Sequence, residues 1–315
     1  MKLEEIINQC KAAGRRPVLI SSGNSGVVAV LGMEGRLFFG HNGEAISLFR
    51  PEAAVNFSNS RTGYFNPGGD GLWPAPEGTT LGYEYSTGSW RVPVALCNAQ
   101  YELVSQEEDH LVMAAEVDLI NNQQLGIPVR FQRDVRVAST NGTTIVEQID
   151  SIEYMGTRPL AENEALLAPW SLSQYNVTPD TTVSFRAFDG KVRDLYSPSD
   201  ANRTISGDRV IMRPDNAHRI QLALPEEASF LELKLPAQKV TVRRTSAPLE
   251  APLKPVDIAD APVDVPPSIP VRYSVYNDPS GFMELETVGG CQFPLKTGDI
   301  LRLTSRTEIS GQVVL

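Results

Sequence analysis

The apolar positions follow a helical pattern at the start of the chain and a strand-like pattern almost everywhere after it. Within residues 3–13 the apolar positions recur at helical spacing: Leu3, Ile6, Ile7 and Cys10. Gly14 then supplies a C-terminal stop signal. This pattern predicts a helix there and an N-terminal helical segment over residues 1–16.

Beyond this segment, short apolar or alternating runs are separated by Gly, Asn, Asp and Pro. The first runs cover residues 18–20, 27–31, 37–39 and 45–49. Turn dipeptides follow in the same pattern: Asn42-Gly43, Asn141-Gly142 and Asp189-Gly190. Strands at such spacings indicate a β-sandwich or barrel, and few segments could serve as the crossover helices of a parallel sheet. The predicted fold class is therefore all-β with a short N-terminal helix.

Residues 248–270 break the strand pattern with seven prolines interleaved with aspartates. Proline lacks an amide donor, so this segment cannot be a central strand. The roughly 45 residues that follow it would bury little surface by themselves. We therefore interpret 248–270 as a proline-rich surface loop within a single β-domain that spans residues 17–315.

Composition narrows the function classes. The chain has 315 residues, 41% hydrophobic and 21% charged, as in ordinary globular proteins. A net charge of −10, with no basic cluster longer than Arg243-Arg244, argues against a nucleic-acid partner. The sequence shows neither an apolar run of membrane-spanning length nor the apolar core of a secretion signal. Three cysteines without CxxC spacing suggest reduced thiols, so we expect a cytoplasmic protein. Because no apolar run is long enough to span a membrane, we expect no membrane partner.

A loop dense in glycine and proline, residues 66–78, carries the first candidate site residues: Asp70, Trp73 and Glu77. Carbohydrate sites commonly combine an aromatic face with carboxylates that accept hydrogen bonds from hydroxyl groups. The alternative is a rigid loop whose tryptophan fills one end of the sandwich.

Two further stretches carry candidate residues. In a strand through residues 170–174, Trp170, Leu172 and Gln174 alternate with serines, although a tryptophan on an inner face is more often part of the core. In residues 282–286, alternation places Glu284 and Glu286 on one face. If that face lines a pocket, burial and repulsion would raise the pKa of at least one carboxyl and prepare the pair as base and acid. If it faces solvent, the pair is an ordinary charged ladder.

Other catalytic and cofactor motifs are absent from the sequence, among them HExxH, GxSxG and the phosphate-binding P-loop. The three histidines, His41, His110 and His218, have no ligand-type spacing. The sequence therefore predicts no metal and no cofactor.

Taken in chain order, these stretches resemble the galactose mutarotase-like superfamily and, within it, a bacterial branch of the DUF4380 type. The matching segments are residues 68–77, 90–93, 167–174, 282–287 and 295–299. The resemblance covers about residues 20 to 315 and implies a supersandwich of antiparallel sheets with a concave, sugar-binding face.

The resemblance also implies chemical roles. In mutarotases a glutamate on the C-terminal strand is the general base at the anomeric hydroxyl, and a histidine is the general acid at the ring oxygen. Glu286 stands at the position of that glutamate, whereas no histidine of this chain matches. The substitute acids that the sequence offers are Glu284, Glu77 and Asp70.

We expect a carbohydrate-binding protein in which Trp73 and Trp170 form the walls of the site. Its polar contacts would come from Asp70, Glu77, Gln174, Glu284 and Glu286. The first alternative is an aldose epimerase or mutarotase with Glu286 as general base. The second is a scaffold or interaction module in which 248–270 is a docking strap. The identity of the sugar, the oligomeric state and whether a metal joins the carboxylates of the site stay open.

Overall fold

The structure is a computed structural model, and it describes residues 1–56, 63–83, 94–190 and 192–311. The α-helices are α1 (Leu3–Ala12), α2 (Pro51–Val55) and α3 (Val94–Cys97). Short 3₁₀ helices cover Asp200–Asn202, Glu226–Ala228 and Pro236–Gln238. Helix α1 lies where the sequence predicted it. In the part of the chain described here, no helix has both the length and the apolar character needed to span a membrane.

The remaining elements are strands. In chain order they are β1 (Pro17–Ser22), β2 (Ser25–Val30), β3 (Arg36–His41), β4 (Glu44–Ala45), β5 (Asp70–Ala75), β6 (Glu102–Gln106), β7 (His110–Ile120), β8 (Gly126–Thr140), β9 (Thr143–Tyr154), β10 (Ala168–Asn176), β11 (Thr182–Arg186), β12 (Arg193–Asp194), β13 (Arg203–Ser206), β14 (Arg209–Met212), β15 (Ile220–Leu224), β16 (Leu231–Leu235), β17 (Val240–Ser246), β18 (Lys254–Pro255), β19 (Tyr273–Asp278), β20 (Phe282–Val288), β21 (Gly290–Cys291) and β22 (Ile300–Gly311).

These strands form two large antiparallel sheets and one small one. Sheet I has the order β1-β2-β3-β5-β10-β20-β19-β15-β12, with β4 paired to β3. Sheet II has the order β13-β14-β11-β16-β17-β22-β9-β8-β7-β6, and β18 pairs with β21. The predicted all-β fold class is confirmed.

The predicted turns have two different outcomes. Asn42-Gly43 joins β3 to β4 and Asn141-Gly142 joins β8 to β9, and all four residues have positive φ angles, as such tight hairpins require. Asp189-Gly190 instead lies between β11 in sheet II and β12 in sheet I.

The hydrophobic core lies between the two sheets, and strand alternation decides which side chains enter it. From sheet I, Leu285 of β20 is fully buried, and Thr287 reaches the Ser305 hydroxyl of sheet II at 2.8 Å. Apolar residues of sheet II, such as Phe131 and Val242, are fully buried as well. The opposite face of sheet I points away from sheet II and does not take part in this core.

A network of buried charges crosses this core and is centred on Asp70 at the start of β5. Its carboxylate accepts hydrogen bonds from Arg133 of β8 and, at 2.9 Å, from Arg244 of β17. Arg133 also donates to both oxygens of Asp150, at 2.8 and 3.0 Å. All four side chains are 0% exposed. Ser171 and Gln148 each donate a further hydrogen bond to Asp70 at 3.0 Å.

The interpretation of Asp70 as a ligand contact therefore needs correction. Burial disfavours its ionisation, but Arg244 and Arg133 outweigh this effect and lower the pKa of Asp70 below its usual value. Its oxygens are occupied by protein donors between the sheets. Asp70 holds the two sheets together and has no access to a ligand.

The proline-rich segment is held against the loop that follows β5. The amides of Gly78, Thr79 and Thr80 donate to the carbonyls of Ala259, Ala261 and Val265 at 2.9–3.0 Å. The Asp257 carboxylate caps the backbone amides of Ala259, Ser268 and Ile269. Residues 248–270 are thus an irregular border attached to the 76–80 loop. The single β-domain over 17–315 stays a prediction, as does the docking strap.

We expect Asp70→Asn to lower the free energy of unfolding by about 3–5 kcal/mol, because two buried guanidinium groups lose a compensating charge. Denaturant titration at pH 7 measures this loss. The control is Asp180→Asn at an exposed position, which we expect to change stability by no more than about 0.5 kcal/mol. Equal effects of the two substitutions would contradict the assigned role of the network.

Candidate functional site

The face of sheet I that points away from sheet II carries most of the predicted site residues. Register places Trp73 of β5 directly opposite Trp170 of β10. Farther along, residues on four adjacent strands pair in one row: Gln174, Glu284, Tyr276 and Gln221. Neighbouring strands lie about 4.8 Å apart, so this row forms a continuous polar floor next to the two tryptophans.

A pocket opens over this floor. Five predicted residues line it: Trp73, Glu77, Trp170, Gln174 and Glu284. The sequence analysis missed other lining residues, among them Arg36, Tyr64, Arg219, Gln221 and Tyr276. The atom-free space is about 390 Å³ including the mouth, but the centre of a water molecule can reach only about 20 Å³ of it. The pocket is therefore narrow in this conformation.

The predicted roles of these residues as ligand contacts stay predictions, although the structure brings five of the seven together. Asp70 lies on the other face of the sheet. Glu286 lies on the correct face but is 0% exposed and sits beneath the residues that line the pocket. The segment 90–93 lies outside the described residues.

The Glu284–Glu286 pair is buried, and its electrostatics follow from this burial. Desolvation and the nearby charge of Glu284 raise the pKa of Glu286 well above its usual value. Desolvation also raises the pKa of Glu284, to about 6, against the opposing effects of a hydrogen bond with Glu286 and the charge of Arg36. The expected rise in carboxyl pKa is confirmed for both residues. Within the pair, the hydrogen bond between the two carboxyls favours the proton on Glu286 and ionisation of Glu284.

The role of Glu286 as general base stays a prediction, and its burial argues against it. A carboxyl that is 0% exposed and does not line the pocket has no direct contact with a ligand there. Glu284 is ionised at pH 7, lines the pocket and is 6% exposed. Strand alternation placed both carboxyls on one face, but it could not show which of them reaches the opening.

Three side-chain N–H groups fix the carboxyl pair. The Gln174 amide donates to Glu284 Oε1 at 2.6 Å. The Gln221 amide donates to the two oxygens of Glu286 at 3.2 and 3.1 Å, and the Trp170 indole donates to Glu286 Oε2 at 3.1 Å. A signal for Gln221 existed in the sequence, because it is the one polar residue in the otherwise apolar strand β15.

Aromatic rings form the side of the pocket. The rings of Trp73 and Trp170 are 6.2 Å apart and nearly perpendicular, at 89°. Tyr64 lies edge-on to Trp73 at 6.1 Å. Perpendicular rings at this spacing are a favourable arrangement, so the two tryptophans hold each other in place at the wall.

Two arginines, Arg36 and Arg219, line the pocket, and each forms an ion pair with a carboxylate. Arg36 donates to Glu34 Oε2 from two of its nitrogens, at 3.2 and 3.0 Å. Gly71 makes room for it, because a Cβ there would lie 2.6 Å from the Arg36 Nη1 atom. Arg219 lies over the ring of Tyr196 at 3.9 Å, donates to the Tyr276 hydroxyl at 2.9 Å and is 3.7 Å from Asp260.

Three buried polar atoms on the pocket lining have no hydrogen-bond partner among the described residues: Trp73 Nε1, Gln174 Oε1 and Gln221 Oε1. Their residues are only 6%, 3% and 2% exposed. Buried polar groups are normally satisfied, so these atoms are available to a bound molecule.

Among the described residues that line this pocket there is no histidine. His41 bonds Thr144, His110 bonds Asp134, and His218 bonds Asp215. Within residues 1–56, 63–83, 94–190 and 192–311, no group of three or more His, Cys, Asp or Glu side chains is placed to hold a metal ion.

Comparison with solved structures identifies the fold. A galactose mutarotase-like protein from Lactobacillus casei superposes with a TM-score of 0.55 over 93% of this chain and 100% of its own, at 10% identity. This chain has the galactose mutarotase-like fold. A galactose mutarotase-like protein from Clostridium acetobutylicum gives 0.54 over 94% and 95% of the two chains, at 9% identity. A galactose mutarotase related enzyme from Lactobacillus acidophilus gives 0.52 over 95% and 100%, at 13% identity.

Such low identities establish the fold alone. No protein-family model matches the sequence, and no curated protein matches it either. The narrower resemblance to the DUF4380-type branch therefore stays a prediction.

The carboxyl pair predicts a characteristic pH dependence of stability. Because the pKa of Glu284 rises from 4.5 to about 6 on folding, the folded protein binds more protons than the unfolded chain in this range. The contribution of Glu284 to stability therefore falls as the pH rises from about 4.5 through about 6, by up to about 2 kcal/mol. The raised pKa of Glu286 acts in the same direction and adds to the loss.

We expect Glu284→Gln to make this part of the curve less steep, with the slope from Glu286 remaining, when the free energy of unfolding is measured from pH 4.5 to 8. Glu116→Gln, at an exposed position, is the matched control and should leave the pH dependence unchanged. A Glu284→Gln curve parallel to that of the unmodified protein would show that Glu284 is not the group that titrates.

Proposed function

We propose that the protein binds a sugar or sugar derivative in the pocket over sheet I. The observation that carries the proposal is the combination of the Trp73 and Trp170 wall with buried polar atoms that have no protein partner. Aromatic rings pack against the C–H faces of sugars, while amide and carboxylate oxygens accept hydrogen bonds from hydroxyl groups.

The fold adds support at a coarser level. Proteins with this fold include a galactose mutarotase related enzyme, so a sugar-sized ligand on this sheet suits the architecture. The narrow interior indicates that lining side chains move aside on binding, since the space open to water centres corresponds to about one water molecule. Arg219 suits such a movement, because its side chain is 36% exposed.

Sugar binding predicts thermal stabilisation. We expect at least one member of a monosaccharide panel to raise the melting temperature by a few degrees when present at about 100 times its dissociation constant. Trp73→Leu should abolish the shift, because it removes both the ring and the free indole N–H. Phe188→Leu, on another part of the surface, should retain the shift. The absence of a shift with every sugar in the panel would refute the proposal.

A second candidate function is exchange between sugar anomers, favoured by one observation: Glu284 has a pKa of about 6 and lines the pocket. An ionised Glu284 would take the proton from the anomeric hydroxyl. The carbonyl would then form as the bond from the anomeric carbon to the ring oxygen breaks, and the ring oxygen would take a proton from an acid. Among the described lining residues the other carboxyl is Glu77, and in this scheme it would be the acid that supplies the proton. Ring closure on the other face would return both protons and give the second anomer.

We expect Glu284→Gln to slow anomer exchange by at least about 100-fold, because it removes the base. Polarimetry or NMR of a freshly dissolved anomer measures the rate. Glu286→Gln should have a smaller effect, since Glu286 acts only through the pKa of Glu284, and Glu116→Gln should have none. An undiminished rate for Glu284→Gln would rule out Glu284 as the base. If the unmodified protein gave the same rate as buffer alone, it would have no exchange activity, and sugar binding would be its function.

A further inference from the structure

We propose that the pocket selects uncharged, polyhydroxylated rings over phosphorylated or carboxylated sugars, and that the carbonyl oxygens of Gln174 and Gln221 impose this selection. The inference rests on the proposed sugar binding and adds the ligand class to it.

The orientation of both amides is set from below the pocket. Gln174 directs its NH₂ group at Glu284, at 2.6 Å, and Gln221 directs its NH₂ group at Glu286, at 3.2 and 3.1 Å. A flipped amide would place its carbonyl oxygen against carboxyl oxygens and lose these hydrogen bonds. The carboxyl pair therefore turns both carbonyl oxygens away from itself.

These two oxygens are two of the three pocket atoms without a hydrogen-bond partner among the described residues. In the described part of the chain, neither Gln174 Oε1 nor Gln221 Oε1 has a hydrogen-bond partner, and the two residues are 3% and 2% exposed. They lie in the same row of sheet I, separated by β20 and β19. A carbonyl oxygen accepts only, so the ligand must present two separate donors along this row.

Hydroxyl groups meet this requirement, and ionised phosphate or carboxylate groups do not. An anionic oxygen placed here would face carbonyl oxygens and the ionised Glu284 without a donor, and buried polar groups left in this state oppose binding strongly. The free Trp73 Nε1 requires an acceptor at the wall. A ring hydroxyl donates and accepts, so a neutral polyol can satisfy all three atoms.

The arginines at the border do not reverse this preference. Arg36 is neutralised by Glu34 in a two-nitrogen contact at 3.2 and 3.0 Å. Arg219 has the Asp260 carboxylate at 3.7 Å. Among the described residues, each of these two guanidinium groups thus has a carboxylate beside it, and an ionised Glu284 adds a further negative charge that would repel an anionic ligand.

Calorimetric titration of the unmodified protein tests the inference with matched ligands: neutral aldohexoses, their 6-phosphates and the corresponding uronic acids. We expect the best neutral sugar to bind at least about 10-fold more tightly than either anionic form. Monodeoxy analogues of that sugar should show losses of about 5-fold or more at two different hydroxyl positions.

Variants then assign the effect to residues. Gln174→Met and Gln221→Met keep the side-chain length but remove the acceptor, and each should weaken neutral-sugar binding by about 5-fold or more. Gln106→Met, on the exposed edge strand β6, should bind as the unmodified protein does. Near-UV circular dichroism checks that each variant is folded. The deoxy sugars are titrated with the unmodified protein, so their result does not depend on the folding of a variant.

The possible outcomes separate the two proposals. Equal or tighter binding of the phosphates or uronic acids would overturn the selection for neutral rings while sugar binding itself stands. No binding by any member of the panel would overturn both. Undiminished affinity in both folded glutamine variants, or a deoxy series without loss, would overturn the role of the two amides.

Discussion

The contact between Asp70 and the guanidinium groups of Arg133 and Arg244 is the interaction on which the rest of the molecule depends. It joins β5 to two strands of the opposite sheet through side chains that are 0% exposed. Buried charges are tolerated only when they are paired with good geometry, so the network accepts one register of β5 and not a neighbouring one. A slip by one residue would turn Asp70 toward the pocket and Trp73 into the core.

The pocket follows from this constraint, because the same strands present opposite chemistry on their two faces. On the inner face, the oxygens of Asp70 are occupied by protein donors. On the outer face, Gln174 and Gln221 use their donors on the carboxyl pair and keep their carbonyl oxygens free. Polar groups with protein hydrogen-bond partners hold sheet I in place, and those without a partner are available to a ligand.

Sequence reasoning reached the features that depend on local pattern. Helix α1, the all-β class, the Asn-Gly hairpins and the shared face of Glu284 and Glu286 all follow from periodicity and turn chemistry. Periodicity and turn chemistry could not predict features that depend on residues far apart in the sequence. The arginines that claim Asp70 lie 63 and 174 residues away in the chain. Only the packing of the two sheets shows that Asp70 is enclosed and that Glu284, not Glu286, meets the opening.

Residues 248–270 hold the loop that follows Glu77 through contacts of the backbone. Their backbone meets Gly78, Thr79 and Thr80, the residues directly after Glu77, through carbonyl groups of Ala259, Ala261 and Val265. Main-chain contacts of this kind tolerate many changes of side chain, and the prolines restrict the backbone angles. Side chains of this stretch can therefore vary while the hydrogen bonds that hold the loop after Glu77 stay in place.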